Sequence, residues 1–211
     1  MRNRLFQGVH SFYDLFMVPL EAQWIVTLRN WLIPRAMGKV LELGAGTGVN
    51  LPYYRMDQIR ELILTDRKGN SPAFRRMIRK RMGESDLKHA VGTHIRCKDA
   101  DAEALPFGDD QFDIVVATLL LCSVEDPLRA VGEIHRILRS GGQFLFIEHV
   151  RPSAPVASKI ADRITPAWRR IASGCHLNRD TLSTIEKGGF SIQDSRRSGD
   201  SVFVGGVARK A

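Results

Sequence analysis

The sequence predicts an α/β fold: a doubly wound sheet of seven strands, mostly parallel, with flanking N-terminal and C-terminal helices. Two observations predict it. The middle of the 211-residue chain alternates short apolar, β-rich runs with segments of helical periodicity, which is the pattern of βαβ units on a parallel sheet. The tail then offers two strand-like runs joined by a turn, which predict an antiparallel hairpin at the C-terminal edge of the same sheet.

Five apolar runs in the middle of the chain are the predicted parallel strands. They are Lys39–Leu43, Glu61–Thr65, Thr93–Cys97, Phe112–Ala117 and Gln143–Glu148. Between the last two runs, apolar residues recur at helical spacing from Pro127 to Leu138, which predicts a helix. The run Ser140-Gly141-Gly142 is expected to end that helix and to turn the chain into the fifth strand.

The tail is predicted to hold one helix and the hairpin. The helix is expected to run from Asn178, as its N-cap, to Lys187. The hairpin strands are predicted at Phe190–Asp194 and Ser201–Val207, joined by a turn around Ser198-Gly199-Asp200.

Amphipathic helices are predicted on both flanks of the sheet. Near the start, apolar residues fall every four positions, at Phe12, Phe16, Leu20, Trp24, Leu28 and Leu32. After the fifth strand a similar stripe has a basic polar side: Val156, Ile160, Ile164, Trp168 and Ile171, with Lys159, Arg163, Arg169 and Arg170. Such stripes are expected to pack against the core, and a substrate lid, a dimer contact or a membrane-surface helix are the alternatives. The chain thus divides into an N-terminal helical cap (1–38), a core (39–150) and a C-terminal segment (151–211) that completes the same domain.

The composition excludes several classes of protein. Hydrophobic residues make up 44% and charged residues 26% of the chain, which argues against disorder. No apolar run reaches the roughly 18 residues of a membrane span, and the start lacks the pattern of a signal peptide. Three cysteines without a CxxC pair exclude a disulfide scaffold, so a reducing cytoplasm is expected. The scattered histidines show no metal-ligand spacing, so no metal site is predicted.

The net charge of +8 lies outside the middle of the chain. Residues 1–38 carry a net +2, residues 39–150 a net charge of zero and residues 151–211 a net +6. Within the middle, the run from Arg67 to Arg81 holds seven bases and no acid, and it is expected to form a solvated helix face. The excess charge indicates an anionic partner that the flanking segments would meet.

The segment VLELGAGTG, residues 40–48, carries the clearest signal for a ligand. A buried strand runs into a turn with glycine at alternate positions, and glycines there let the backbone approach a ligand closely. The dinucleotide fingerprint GxGxxG would need glycine at position 49, where this chain has Val49. The spacing therefore favours a nucleoside ligand other than NAD.

Two acids follow where a nucleoside would need them. Asp66 ends the second strand, 22 residues after Gly44, where a carboxylate can accept hydrogen bonds from both ribose hydroxyls. Asp101 follows the third strand and can accept from an adenine amino group. The bases Arg67 and Lys68 directly after the first acid leave NADP open as an alternative, because they would suit a 2′-phosphate.

From Lys39 to Val150 the chain resembles the class I S-adenosylmethionine (SAM) dependent methyltransferases, in particular the methyltransferase type 11 group. The matching motifs are VLELGAGTG (40–48), LTD (64–66), DAEALPFGDDQFDIVV (101–116) and EIHRILRSGGQFLFIEHV (133–150). Further segments resemble a bacterial subfamily related to animal thiol methyltransferases: LLLCSVEDP (119–127), FIEHV (146–150), TPAW (165–168) and GCHLNRDTL (174–182). The chain is more distantly similar to bacterial phosphatidylethanolamine N-methyltransferases and quinone-biosynthesis methyltransferases. The resemblance implies a Rossmann-like fold.

The resemblance also implies a role for each matching residue. The implied contacts with SAM are Glu42 at the amino acid end; Gly44, Ala45, Gly46 and Gly48 along the methionine and ribose; Asp66 with its neighbour Arg67 at the ribose; Asp101 and Ala102 at the adenine; and Thr118 and Leu119 beneath the sulfonium. Tyr13 resembles part of an N-terminal segment that caps the active site in related enzymes.

A base is required only if the methyl acceptor arrives protonated, as an amine or a thiol does. His149, at the end of the fifth strand, is the first candidate, because an unperturbed histidine suits proton removal at neutral pH. His176 is the second candidate, and Tyr13 is a candidate for the substrate pocket. Cys122 and Cys175 are expected to be buried fillers, because the chemistry needs no enzyme thiol.

The predicted function is transfer of a methyl group from SAM to a small or amphiphilic acceptor, most of all a thiol. The alternatives are an N- or O-methyltransferase acting on phosphatidylethanolamine or another small molecule, and a SAM-binding regulatory protein without catalysis. Nucleic acid is the less favoured partner, because the chain lacks the asparagine-proline-proline-aromatic motif of base methyltransferases. The basic flanks predict peripheral contact with an anionic membrane, at the inner membrane surface.

Overall fold

Seven strands form one sheet in the computed structural model, which describes residues 24–67, 69–89, 94–198 and 202–210. In chain order they are β1 (Gly38–Leu43), β2 (Ile59–Asp66), β3 (His94–Asp99), β4 (Phe112–Thr118), β5 (Leu138–His149), β6 (Phe190–Arg197) and β7 (Phe203–Lys210). Across the sheet the order is β3-β2-β1-β4-β5-β7-β6. The first five strands are parallel, and β7 runs antiparallel to both β5 and β6. The predicted fold class is confirmed.

Helices cover both faces of this sheet. They are α1 (helical over 24–32), α2 (Pro72–His89), α3 (Pro127–Ile137), α4 (Pro155–Ile171) and α5 (Thr181–Lys187). On one face α1 and α2 bury Leu28, Leu32 and Ile78 against the sheet. On the other face α3 and α5 bury Ile134 and Ile185. The sheet is therefore doubly wound, with one apolar layer on each side.

The connection from α3 to β5 differs from the prediction. The helix ends at Ile137, and β5 begins at Leu138 rather than at Gln143. Phe112 pairs with Leu138 and Ile114 pairs with Gln143, so the intervening residues 139–142 form a bulge within the strand. The prediction that Ser140-Gly141-Gly142 turns the chain between elements was wrong, because a strand bulge uses the same flexible residues as a turn.

The start of the tail helix was also predicted wrongly. The helix begins at Thr181, and Asp180 caps it by accepting from the backbone N–H of Ser183 at 3.2 Å. Asn178 instead donates its side-chain amide to Asp162 at 2.9 Å. Asparagine and aspartate cap helices about equally well, so the sequence could not choose between two candidates two residues apart.

The apolar stripe of α4 faces away from the core, against expectation. Val156, Ile160, Ile164 and Ile171 are 72%, 52%, 46% and 61% exposed. The face that packs inward carries Ala161 and Thr165, with Trp168 half-buried beside them. Small side chains let the helix approach closely, and the large aliphatic ones are left outside. In the N-terminal stripe, Leu28 and Leu32 are buried and Trp24 is 45% exposed, while Phe12, Phe16 and Leu20 lie outside the described residues.

Candidate functional site

The carboxyl ends of the parallel strands bring the predicted site residues to one edge of the sheet. Leu43 at the end of β1 pairs with Thr65 of β2 and with Ala117 of β4. Asp66 pairs with Asp99 at the end of β3. The glycine turn, the acids after β2 and β3, and the loops after β4 and β5 therefore lie side by side, where ligands bind in open α/β sheets.

The glycine turn forms an open cradle of backbone. Gly44, Gly46 and Gly48 have φ values of 65°, 53° and 71°, a region that favours glycine. A Cβ added to Gly44 would lie 2.9 Å from Leu120, and a Cβ on Gly48 would lie 2.9 Å from Ile78. A Cβ on Gly46 would meet only the Gly44 carbonyl oxygen, at 3.8 Å. A side chain at either outer position would force Leu120 or Ile78 to shift, whereas the middle position leaves room for a ligand.

Asp66 joins this turn to the end of β2. Its Oδ2 accepts from the backbone N–H of Gly46 at 3.1 Å. The backbone N–H of Ala45 donates to the Thr65 carbonyl at 2.8 Å and fixes the same turn from the other side. A carboxylate accepts several hydrogen bonds, so Asp66 keeps capacity for ligand hydroxyls beside the turn.

A cleft of about 360 Å³ lies beyond Asp66, after β3. It is lined by Arg67, Asp99, Ala100, Asp101, Ala104 and Pro106. Oδ1 of Asp101 accepts from the backbone N–H of Glu103 at 3.0 Å, which fixes the loop, and Ala102 is buried beneath it. Arg67 and Asp101 thus line one cleft, and Asp66 directly precedes Arg67 in the chain.

Glu42 is sealed under the glycine turn with both carboxylate oxygens bonded. The hydroxyl of Tyr54 donates to Oε2 at 2.8 Å, and the Asn50 amide donates to Oε1 at 2.9 Å and to Thr118 Oγ1 at 3.0 Å. Arg29 Nε in turn donates to Asn50 Oδ1 at 3.0 Å. Burial raises the pKa of Glu42 to about 7, although these bonds and the Arg29 charge oppose the rise.

Sequence reasoning missed Asn50, Tyr54 and Arg29 as members of this network. Asn50 is fully buried, although it lies in a loop where a polar residue is ordinarily exposed. No periodicity marks it, and only its position two residues after Gly48 could have drawn attention to it. Through these residues Thr118 and Glu42 are linked by hydrogen bonds to α1. One hydrogen-bond network therefore supports both the glycine turn and the end of β4.

Glu148 fixes the loop after β4. Its carboxylate accepts from the backbone N–H groups of Leu120 at 3.0 Å, Leu121 at 2.8 Å and Cys122 at 3.0 Å. Burial raises the pKa of Glu148, and the three N–H donors oppose that rise. Leu119, directly before them, has a φ of 55° and donates its N–H to the Ile147 carbonyl at 2.7 Å. The loop after β4 is therefore held to β5 along its first four residues.

The half-buried side chains of Leu119 and Trp168 form an apolar surface beside this loop, beneath α4, which is called the recess below. Leu119 and Trp168 pack against a small cluster that holds Cys122, Ala161 and Cys175. The thiol of Cys175 and burial together raise the pKa of Cys122. Both thiols are buried, as was predicted for fillers.

The two predicted histidines border the same recess. Nδ1 of His149 lies 3.5 Å from Cys175 Sγ, and its ring stacks on Phe203 at 4.9 Å between centroids. Nδ1 of His176 lies 3.1 Å from the Cys122 carbonyl oxygen. A carbonyl can only accept, so Nδ1 carries the proton and the neutral ring has its lone pair on Nε2. Burial and the Arg179 charge lower the pKa of His176, which keeps the ring neutral.

Three further predictions concern Tyr13, metal binding and membrane-spanning helices. Tyr13 lies outside the described residues. In the part of the chain that the structure describes, no three His, Cys, Asp or Glu side chains are arranged to hold a metal ion. In that same part, no helix combines the length and apolarity needed to cross a membrane.

Comparison with protein families decides what kind of site this edge carries. A family described as "Methyltransferase domain" matches residues 41–146, which hold the glycine turn and strands β2 to β4. This chain belongs to the class I SAM-dependent methyltransferase family. Membership removes the NADP alternative that the bases after Asp66 had left open.

Individual methyltransferases are similar in sequence to this chain over much of its length. The rat (Rattus norvegicus) thiol S-methyltransferase TMT1B is 35% identical over 154 residues, a match that covers 72% of this chain and 59% of the rat protein. The human (Homo sapiens) thiol S-methyltransferase TMT1A is 28% identical over 180 residues, covering 85% of this chain and 70% of the human protein. The chain therefore spans about three fifths of the length of the rat relative.

Solved structures share the fold. A SAM-dependent methyltransferase from Thermotoga maritima superposes with a TM-score of 0.65 and 19% identity, over 98% of both chains. At that identity the likeness supports the methyltransferase fold alone.

The residues of the edge fit the SAM group that defines this family. The open side of Gly46 leaves room for a ligand chain to cross the turn, where any side chain would intrude. Asp66 keeps capacity to accept hydrogen bonds beside the turn, and the cleft lined by Arg67 and Asp101 follows directly after it. Carboxylates on this path also suit the positive charges of the ligand.

Proposed function

We propose that this protein transfers a methyl group from SAM to the thiol of a small, amphiphilic acceptor. One observation carries the proposal: the open glycine cradle and Asp66 adjoin the apolar surface that Leu119 and Trp168 form over a buried cluster. The cradle suits a nucleoside that carries a short charged chain, and the recess suits an apolar acceptor. The sulfonium would lie between them, over Thr118 and Leu119.

In this proposal, Glu42 acts on SAM without touching it. Its two oxygens are occupied by Tyr54 and Asn50, so its charge, rather than a direct contact, favours the ammonium and sulfonium. Gly44, Ala45, Gly46 and Gly48 provide the backbone surface; Asp66 and Arg67 hold the ribose side; Asp101 and Ala102 hold the adenine; Thr118 and Leu119 line the sulfonium. Residues 39–150 would form the SAM-binding core, with 1–38 and 151–211 shaping the acceptor side.

A thiol acceptor is supported by similarity and by the chemistry of the recess. The relatives TMT1B and TMT1A are both named thiol S-methyltransferases. Leucine, tryptophan and cysteine side chains around the recess suit a lipophilic group rather than a charged amine. A weakly polar thiol is cheap to desolvate there, which favours it over an ammonium.

The residues at the recess have defined tasks in this reaction. When bound, SAM supplies a methyl carbon on a sulfonium sulfur, which leaves as the neutral thioether of S-adenosylhomocysteine when the acceptor sulfur attacks that carbon. His176, neutral and protonated at Nδ1, accepts the thiol proton at Nε2. His149 borders the acceptor from the end of β5, and Tyr13 stays a predicted residue of the acceptor pocket. Glu148 keeps the β4 loop in line, so the acceptor faces the methyl group.

A labelled-methyl assay against a panel of acceptors tests the proposal. We expect the full chain to label small lipophilic thiols, and to label amines, phenols, phosphatidylethanolamine vesicles and RNA far more slowly. Asp66→Ala should label the thiol more slowly, because SAM would be bound less tightly, and Asp57→Ala, at an exposed carboxylate away from the site edge, is its matched control. Faster labelling of phosphatidylethanolamine than of any thiol would contradict the thiol assignment, and labelling of no acceptor would favour a non-catalytic SAM-binding protein.

A further inference from the structure

The outer face of α4 combines exposed apolar and basic side chains. We define the α4 outer face by its four large aliphatic residues and three neighbouring bases: Val156, Ile160, Ile164, Ile171, Lys159, Arg163 and Arg170. The aliphatic four are between 46% and 72% exposed, and the three bases are exposed as well. A soluble surface seldom groups large aliphatic residues in this way, so the face indicates a binding surface.

Helical geometry places these residues side by side. With 3.6 residues per turn, the four aliphatic residues fall within an arc of about 80°, and the three bases fall in an adjoining arc of about 40°. Asp162 lies on the far side of the bases, where it pairs with Arg151 at 2.6 Å. Among the described residues, no acid forms an ion pair with Lys159, Arg163 or Arg170. An apolar stripe with an unneutralised basic edge matches a helix that lies in a membrane interface.

The inner face of the same helix covers the apolar recess. Ala161 and Trp168 pack on the cluster of Cys122 and Cys175, next to Leu119. The helix that presents aliphatic residues outward therefore also packs, through its inner face, on the cluster beside the proposed acceptor site. The C-terminal segment 151–211, which holds the helix, carries a net +6. Charge complementarity therefore favours an anionic occupant over a second copy of this basic chain.

We propose that the α4 outer face docks on an anionic lipid surface, with the aliphatic stripe in the acyl boundary and the three bases at the headgroups. The docking proposal rests on the proposed function in one respect: docking would bring the recess to the bilayer, from which a lipophilic acceptor could enter. The lipid chemistry required is a negatively charged headgroup over an accessible acyl layer. Neutral lipid would be bound weakly, because each base near an anionic surface contributes about fivefold in affinity.

Vesicle co-flotation of the full chain tests the docking. The probe is vesicles of equal parts phosphatidylglycerol and phosphatidylcholine, compared with phosphatidylcholine alone, at low and high salt. We expect the chain to float with the anionic vesicles and high salt to release it. Lys159→Gln/Arg163→Gln/Arg170→Gln should lower the affinity about 100-fold, since three bases are lost. Ile160→Ser/Ile164→Ser should lower the affinity for anionic vesicles at low salt as well, because the apolar insertion is lost.

Matched control variants separate this face from general basicity. Arg76→Gln/Arg79→Gln/Lys80→Gln removes the same charge from the exposed face of α2, and Leu128→Ser removes an exposed aliphatic residue from α3. Both should float as the unchanged chain does. All variants change exposed residues, and unaltered thermal midpoints would show that they fold.

Several results would overturn the docking. They are absence of flotation by the unchanged chain, equal losses in the α2 control, and sedimentation showing that the isoleucine pair holds a dimer together. Methylation of a water-soluble thiol without vesicles should be unaffected in every α4 variant. Methylation by an unchanged chain that does not float would thus be a failure of the docking proposal alone, and flotation without methylation would be a failure of the proposed function alone.

Discussion

Glu42 makes the stability of this fold depend on pH. Its folded-state pKa of about 7 lies above the ordinary value of 4.5, so the folded chain binds the proton more tightly than the unfolded chain does. The free energy of unfolding should therefore fall as the pH rises through this interval and level off above it. The buried carboxylate has a desolvation cost that the protonated acid avoids, and the hydrogen bonds from Asn50 and Tyr54 offset only part of that cost.

Replacing this acid should remove the pH dependence. We expect Glu42→Gln to be more stable than the unchanged chain at pH 8, by up to about 3 kcal/mol, and nearly equal to it at pH 4. Urea unfolding of both proteins at several pH values measures the difference. A parallel pH profile in the two proteins would contradict the burial argument. The same variant should bind SAM more weakly, because a charge near the ligand cations is lost.

His176 should set the pH profile of thiol methylation. In His176→Asn the side-chain amide keeps the hydrogen bond to the Cys122 carbonyl, while the proton acceptor is lost. We expect turnover at pH 7 to fall about 100-fold, and the deficit to shrink as the pH passes the thiol's own pKa near about 8.5. The unchanged chain should lose activity only below pH 6.5, because burial lowers the pKa of His176 from that value.

His149→Ala provides the comparison for this experiment. A pH-dependent loss in that variant, with His176→Asn unaffected, would move the base to His149. A loss in His176→Asn that is uniform across pH would make the residue structural. Initial rates with a small thiol over a range of pH distinguish these outcomes.

At the scale of the elements, alanine substitutions of one glycine in α3 and one in β7 test the packing. A Cβ on Gly132 in α3 would meet no atom within 4 Å, whereas a Cβ on Gly206 in β7 would lie 2.4 Å from Phe146. Gly132→Ala should stabilise the chain by about 1 kcal/mol, because alanine is the better helix former. Gly206→Ala should destabilise it by about 1–3 kcal/mol through overpacking. Thermal or urea unfolding measures both, and a stabilising Gly206→Ala would contradict the close contact of β7 with β5.

The elements were largely predictable, and their boundaries less so. The strands of the core were identified because buried parallel strands are continuous apolar runs between turn residues. The bulge at residues 139–142 was missed, since a glycine pair indicates flexible backbone without saying whether the chain leaves the strand. The N-cap was misplaced from Asp180 to Asn178 because the two residue types cap helices equally well.

For the molecule as a whole, the order of motifs predicted the edge that carries the site. Gly44, Asp66 and Asp101 follow successive parallel strands, so their common location follows from topology alone. Asn50 and Tyr54 could not be predicted, because their burial depends on how the loop folds over β1. The outward turn of α4 was equally hidden: an amphipathic pattern shows that one face needs an apolar partner, without saying whether that partner is the core or a lipid.

The charge distribution has a structural location at this scale. The core from 39 to 150 is neutral, and the C-terminal segment carries the bases that border the α4 stripe. The run from Arg67 to Arg81 holds seven bases and was predicted to form a solvated helix face. Its bases within α2 are exposed. The anionic partner that the net charge indicates is therefore best sought beside α4, on the acceptor side.

Calorimetric titration of the full chain with SAM tests the central claim most directly, because every proposed role depends on the edge site. We predict binding of one SAM per chain, and an affinity at least tenfold lower for Asp66→Ala, since a hydrogen bond to a charged acceptor contributes about 1.5–3 kcal/mol. Asp57→Ala should bind SAM as the unchanged chain does. Absence of SAM binding by the unchanged chain, or equal affinity in Asp66→Ala, would contradict the site described at this edge.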